Sequence, residues 1–301
     1  MSRTTTARLA AAAALGLTGA LTLTAAPAQA EEPTALADRY VALGDSFTAG
    51  PLIPGAYGKP ALCLRSSNNY PNVVADAIGA TEFLDVSCSA AITDHMTQPQ
   101  ALLGPDNPPQ FDTLTPDTSL VTVGIGGNDF GFADVLIKCA SLSATNPGGD
   151  PCKKHYTRTG EDELELRVSE TAVKVAEVLG GIKERSPDAT VAIVGYLQIL
   201  PENEGCWPKV PVADDDVPYL DQAQTNLNAA IAKEADNAGV TYVDVFERGH
   251  DVCGPRADKW VEGIFPTKPA APVHPNVDGM AVVGGKVVES LGGGGGGAPL
   301  A

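Results

Sequence analysis

The chain is poor in aromatic and basic side chains. Only 5% of its 301 residues are Phe, Trp or Tyr, and 20 Lys and Arg stand against 37 Asp and Glu, for a net charge of −17. That balance excludes nucleic acid or an anionic membrane surface as a partner held by charge. After the first 30 residues there is no long apolar run, which excludes a later membrane-spanning helix. No C-x-x-C occurs, and His95, His155, His250 and His274 do not cluster near the cysteines, so the usual zinc spacings are missing and no metal is expected. Neither an internal linker nor a repeat breaks the middle of the chain, which reads as one domain.

What is present begins with a leader. "MSRTTTARLAAAAALGLTGALTLTAAPAQA" places Arg3 and Arg8 before an Ala/Leu stretch that ends in the small-x-small pattern of Ala28-Gln29-Ala30. This is the signature of a secretory signal peptide, cleaved after Ala30. The mature protein is therefore expected to be exported and soluble, with 18 basic against 37 acidic side chains. At the other end "LGGGGGGAPLA" (291–301) has nothing to bury and reads as a flexible tail. The folded body is then 31–290, a size that one α/β domain can fill. Its six cysteines (Cys63, Cys88, Cys139, Cys152, Cys206, Cys253) are an even number in an oxidising compartment and read as disulfides. Six cysteines allow on the order of 15 connectivities, and spacing alone does not choose among them.

Strand and helix patterns alternate along the body. "DRYVALGD", "TEFLDVSCS", "SLVTVGIGGND", "TVAIVGYLQIL" and "VTYVDVF" read as five short apolar strands. "NYPNVVADAIGA" reads as a helix with Val73, Val74, Ala77 and Ile78 on one side and Gly79 as its stop. Further helices are expected in "FGFADVLIKCA", in the long stretches 161–186 and 217–239, and in "NVDGMAVVGGKVVES". Such alternation implies an α/β fold with a parallel sheet covered on both faces, whose ligands sit beyond the carboxyl ends of the strands. Ser46 follows the first strand there, and Asn128 and Asp129 follow the third. The stretch 96–119 carries five prolines and reads as a loop over the sheet's end, which either borders a substrate site or is a plain surface connection.

A serine hydroxyl needs a base within reach and donors aimed at the oxygen that becomes negative during acyl transfer. "GDSF" offers Ser46, although Gly-Asp-Ser is also ordinary turn and N-cap vocabulary. "GIGGND" offers close backbone approach and the Asn128 side-chain N–H. His274, in "APVHPNVDGM", lies in a Pro-flanked turn before the last helix. Asp45 and Asp129 could form a glycosidase carboxylate pair, but Ser46 would then have no task, and capping or loop-holding roles are expected for both.

Taken together, "GDSF", "GGND" and "HPN" resemble, in order and spacing, the GDSL or SGNH hydrolases. "YVALGDSFTAG" and "VSCSAAIT" look like their secreted bacterial esterase and lipase branch. The resemblance implies a three-layer α/β/α sandwich around a central parallel five-stranded sheet. It implies Ser46 as nucleophile, His274 as general base and acid, and an oxyanion hole made of Asn128 with the backbone N–H groups of Ser46 and Ala90. The family usually has glycine where this chain has Ala90. It further implies disulfides Cys63–Cys88, Cys139–Cys152 and Cys206–Cys253. The family's aspartate three residues before the histidine is replaced by Ala271, so a carbonyl of Ala271 or Pro272 is expected to orient the imidazole in a Ser-His dyad. Asp278 or Asp251 are the acids that could fill the gap instead. No cofactor is implied, and the expected partner is a small-molecule or lipid ester met by a monomer.

Leu52, Ile53, Leu102, Leu103 and Phe111 are expected to line an acyl groove, or else to belong to the core. A carbohydrate deacetylase is the alternative within the family, with sugar-stacking aromatics as its mark; Trp207 and Trp260 are the only tryptophans and read as structural. A non-catalytic binding module on the same scaffold is the alternative from another class.

Overall fold

A computed structural model describes residues 37–292; the leader, its cleavage site after Ala30 and most of the glycine-rich tail lie outside them. Five strands form one parallel sheet in the order β2-β1-β3-β4-β5, with β1 Arg39–Gly44, β2 Glu82–Asp85, β3 Leu120–Gly124, β4 Thr190–Val194 and β5 Thr241–Val243. Between them run α1 (Ser46–Ala49), α2 (Tyr70–Ile78), α3 (Gly127–Phe130), α4 (Phe132–Ser143), α5 (Pro151–Tyr156), α6 (Glu163–Arg185) and α7 (Val217–Ala238), and α8 (Val277–Ser290) closes the fold. Every residue of β3 and all but the first of β1 are buried. A strand covered on both faces has no polar side to alternate with, which is why these segments read as continuous apolar runs.

Helix α2 packs against α8, and α6 against α7, giving the two helical layers of an α/β/α sandwich. The long helices bury one stripe each: Leu164, Val168, Val175, Leu179 and Ile182 on α6, and Leu220, Leu227 and Ile231 on α7. In α2 the stripe is rotated from the expected one. Tyr70, Val74, Ala75 and Ile78 are buried while Ala77 faces solvent, because Asn69 caps the helix and brings Tyr70 into its buried first turn. Gly79 ends α2 in the left-handed region, at φ 63°.

The strand order places the chain's reversal between β1 and β3, and such a switch point opens a crevice past the carboxyl ends of those strands. The segment 96–119 does not stay irregular: Gln110–Thr113 makes a 3-10 turn and Gln100 bridges Asn107. It also does not border the cavity described below. Instead Gln110 reaches under β1 and holds both the amide and the carbonyl of Gly44, at 2.7 and 2.9 Å.

Candidate active site

Strand β1 ends at Gly44, whose φ of 147° and contact with Gly124 leave no room for a Cβ: one would lie 2.6 Å from the Gly124 carbonyl and 2.3 Å from Thr48 Oγ1. The next amide, Asp45 N–H, donates to that Gly124 carbonyl (2.9 Å), so β1 and β3 are tied at the point where both open into turns. Asp45 then caps α1, its Oδ1 accepting the Phe47 amide at 2.8 Å. That cap sets Ser46 on the first helical residue, with its side chain turned toward the loop before α8.

There the Ser46 hydroxyl donates to His274 Nε2 at 2.8 Å, and His274 Nδ1–H donates to the Pro272 carbonyl at 2.8 Å. A carbonyl only accepts, so the proton belongs on Nδ1 and the lone pair of Nε2 faces the serine. Val273 between them sits at φ 60°, a conformation a β-branched residue adopts only when its surroundings enforce it. It turns the Pro272 carbonyl back onto the ring two residues later. The loop is fixed from behind: the His274 carbonyl accepts from Glu262 N–H (2.9 Å), and Glu262 accepts from the buried Asn276 side chain (2.8 Å). Asn276, the last letter of "HPN", caps α8 through the amides of Asp278 and Gly279. Desolvation holds the His274 pKa below the ordinary histidine value, against the opposing pull of the Pro272 carbonyl.

Of the groups expected to orient the imidazole, Pro272 is in contact and Ala271 is not: the Ala271 carbonyl accepts the His274 main-chain amide instead (3.2 Å). Asp278 pairs with Lys268, and Asp251 accepts the Cys253 amide (2.8 Å); neither of these acids hydrogen-bonds the imidazole.

Asn128 lies in α3, beside Ser46 on the same cavity. Its Nδ2 donates one hydrogen to the Ala91 carbonyl at 2.9 Å, which fixes the amide plane and leaves the second N–H without a partner among the described residues. Ala90 is exposed in the left-handed region, at φ 63°. Its loop is held by the Cys63–Cys88 disulfide, by Cys88 N–H on the Gly44 carbonyl (3.0 Å), and by Gln100 Nε2 on the Ser89 carbonyl (2.8 Å). Among the described residues, neither the Ser46 nor the Ala90 amide donates a hydrogen bond. The other disulfides join Cys139 to Cys152 and Cys206 to Cys253.

The two aspartates beside these turns are committed elsewhere. Asp129 accepts from the Thr93 amide and hydroxyl and from Lys174. Asp45 is buried and accepts from Tyr196 Oη at 2.6 Å as well as from Phe47; burial pushes its carboxyl up to about 7, against the lowering effect of those hydrogen bonds. Nothing in the sequence pattern announced that shift.

A cavity of about 340 Å³ opens at Ser46 and His274. Its far wall is Phe132, Leu136, Ile137 and Ala140 of α4, with Ile199, Ile264 and Val273 closing it. The residues expected to line an acyl groove are elsewhere: Ile53 and Phe111 are core, Leu103 is 98% exposed and Leu52 60%, and Leu102 packs against the core's edge. The signal that was there to read is α4 itself. "FADVLIKCASLS" buries Val135 and Cys139 on one face and is apolar on the opposite face too, which a plain surface helix is not. Trp260 stacks on His250 at 3.6 Å and Trp207 adjoins the Cys206–Cys253 bridge; neither reaches the cavity. No cluster of His, Cys, Asp or Glu able to hold a metal occurs among the described residues.

Known proteins are similar to this chain in sequence and fold. The profile of the GDSL-like Lipase/Acylhydrolase family matches residues 42–282. Lipase 2 of Streptomyces coelicolor is 40% identical over 285 residues, covering 93% of this chain and 92% of its own. The lipase of Streptomyces rimosus is 30% identical, with 91% and 94% covered. Among solved structures, phospholipase A1 from Streptomyces albidoflavus superposes with a TM-score of 0.63 at 27% identity, over 85% of this chain and 98% of that one. With a parallel five-stranded α/β/α sandwich of the same kind, this chain belongs to the GDSL-like lipase/acylhydrolase family and is a carboxylic ester hydrolase.

Proposed function

We propose that the protein is an exported esterase or lipase that cleaves aliphatic carboxylic esters through an acyl-serine intermediate, using a Ser-His dyad. The observation that carries this reading is the chain of two 2.8 Å hydrogen bonds from Ser46 through His274 to the Pro272 carbonyl, set at the mouth of an apolar cavity.

Ser46 Oγ attacks the ester carbonyl as His274 Nε2 takes its proton. The carbonyl oxygen becomes an oxyanion, met by the free Asn128 N–H and the Ser46 and Ala90 amides. Collapse expels the alcohol, which takes the proton from Nε2. Water then enters by the same route: His274 removes its proton, the second oxyanion forms, and the carboxylic acid leaves as Ser46 regains its hydrogen. The Pro272 carbonyl holds the tautomer throughout. It carries only a partial charge, so it stabilises the imidazolium less than a carboxylate would.

The cavity supports an aliphatic acyl group in that mechanism, because its walls are almost wholly apolar and bury hydrocarbon at about 25 cal/mol per Å². Phe47, Phe132 and Tyr196 also line it, but its far wall on α4 offers a sugar's hydroxyls no polar side chain. The leader in 1–30 supports export, and among the described residues no helix is long and apolar enough to cross a membrane. The proposal includes 31–290 as the working body and a single chain as the working unit, since the whole site lies within one chain.

Hydrolysis of p-nitrophenyl esters from acetyl to palmitoyl tests it, comparing the mature protein with Ser46→Ala. Activity is expected to vanish in the variant and to favour acyl chains longer than acetyl in the parent. Undiminished hydrolysis by Ser46→Ala would refute the nucleophile, and an acetyl-only profile would refute the acyl cavity.

A further inference from the structure

Helix α3 carries Asn128 on a single helical turn flanked by left-handed glycines, Gly126 at φ 115° and Gly131 at φ 84°. So short a turn has no rigidity of its own. What holds its first amide is Tyr196, which follows β4. The Gly127 N–H donates to Tyr196 Oη at 2.6 Å, and the same oxygen donates its hydrogen to Asp45 Oδ2 at 2.6 Å. Asp45 is the cap that sets Ser46. One buried hydroxyl therefore links the residue before the serine to the residue before the asparagine.

The clamp is itself clamped. Tyr196 N–H donates to Asn228 Oδ1 and the Tyr196 carbonyl accepts from Asn228 Nδ2, both at 2.9 Å. The ring meets Phe47 edge-on at 5.2 Å and Phe132 at 5.8 Å. Position 127 is shaped to this approach, since a Cβ there would stand 2.9 Å from the tyrosine ring.

We propose that Tyr196 is a positioning residue for ester hydrolysis: its hydroxyl locks the Ser46 turn to the Asn128 turn and so fixes how the Asn128 amide meets the oxyanion. The proposal rests on the reading of Ser46 as nucleophile and Asn128 as oxyanion donor. A misplacement of about 1 Å at such a donor costs up to about 100-fold in rate, and without the hydroxyl the Gly127 N–H and Asp45 Oδ2 both lose their partner. The ring stays in the cavity wall when only the hydroxyl is removed, so ground-state binding is spared.

The test is a cycle of Tyr196→Phe, Asn128→Ala and the double variant, each checked for folding by near-ultraviolet circular dichroism and assayed on one soluble ester. In Tyr196→Phe, kcat is expected to fall about 10- to 100-fold with KM within about threefold. In the Asn128→Ala background the same change is expected to cost less than about threefold, because the donor it positions is gone. Unchanged kcat in folded Tyr196→Phe, or the same fold-loss in both backgrounds, overturns the proposal. Full activity in Asn128→Ala alone overturns it together with the oxyanion reading, a failure recognised without touching Tyr196. Should Tyr196→Phe not fold, Tyr196→Phe with Asp45→Asn leaves no unpaired buried charge, and its loss relative to Asp45→Asn carries the same comparison.

Discussion

The two sides of the cavity are built from opposite materials. Behind Ser46 the wall is polar and over-determined: Tyr196, after β4, ties the Asp45 turn of β1 to the Gly127 turn of β3, and the adjoining Asn128 is tied to Ala91, after β2. Across from it, Phe132, Leu136, Ile137 and Ala140 of α4 present only hydrocarbon. The first side has fixed directions and little tolerance; the second has volume and no directions. Rate and chain-length preference should therefore come apart under mutation, with changes behind the serine acting on kcat and changes in α4 acting on which ester is preferred.

The largest effect expected on the polar side is Asn128→Ala, which removes the proposed oxyanion donor while leaving the apolar far wall intact. By the usual worth of one such donor, kcat should fall about 10²- to 10³-fold with KM little changed. Steady-state kinetics on a soluble ester checks it. A loss confined to KM would mean that Asn128 binds substrate and the two walls are not functionally distinct.

The pH profile sharpens the same contrast at the dyad. In the proposed dyad His274 must be neutral to take the serine proton, and burial lowers its pKa. A base held below its ordinary value stays neutral to lower pH, so the acidic limb of kcat/KM should have its midpoint below the unperturbed 6.5. Asp278→Asn should leave that limb in place and the rate within about threefold, since Asp278 pairs with Lys268 at the start of α8. A fall of several orders of magnitude there would make Asp278 the missing acid.

On the apolar side, Leu136 and Ile199 border not only the main cavity but also two small voids behind it, of about 30 and 20 Å³. Leu136→Ala should join these spaces to the cavity, and Ala140→Leu should fill it. We expect opposite shifts in acyl preference, longer in the first and shorter in the second, each about tenfold or more in relative kcat/KM for a change of a few methylenes. Profiles that move together would mean that α4 adjusts as a body.

The same division decides what could be read in the sequence. Ser46, Asn128 and His274 sit in short stretches that contain their own turn chemistry: the Asp45 cap, the glycines before Asn128, and Asn276 capping α8. The inner strands β1, β3 and β4 were legible for a similar reason, because burial on both faces writes a continuous local pattern, while the edge strands β2 and β5 were short apolar runs only partly covered. The apolar wall left one trace, the two apolar faces of α4, but its members Leu136, Ile199 and Ile264 look like core residues until their neighbours are known. Tyr196 was hidden inside an apolar run, where a hydroxyl says nothing about a partner 151 residues away. The group that orients His274 left no side-chain trace at all, since every residue has a carbonyl; only the missing acid at Ala271 pointed toward one.

Ala90 belongs to neither wall and gives the smallest expected effect. Its contribution to the proposed hole is a backbone N–H, yet its methyl group sits at φ 63°, where a Cβ costs about 1–2 kcal/mol. Glycine removes that strain but loses more conformational freedom on folding, about 0.5–1 kcal/mol. The two largely offset, so Ala90→Gly should change stability by no more than about 1.5 kcal/mol, in the stabilising direction, and leave kcat/KM within about threefold. Urea unfolding and ester kinetics measure both. A tenfold loss of activity at unchanged stability would show that the methyl group touches the substrate, making Ala90 part of the specificity surface rather than a bearer of one amide.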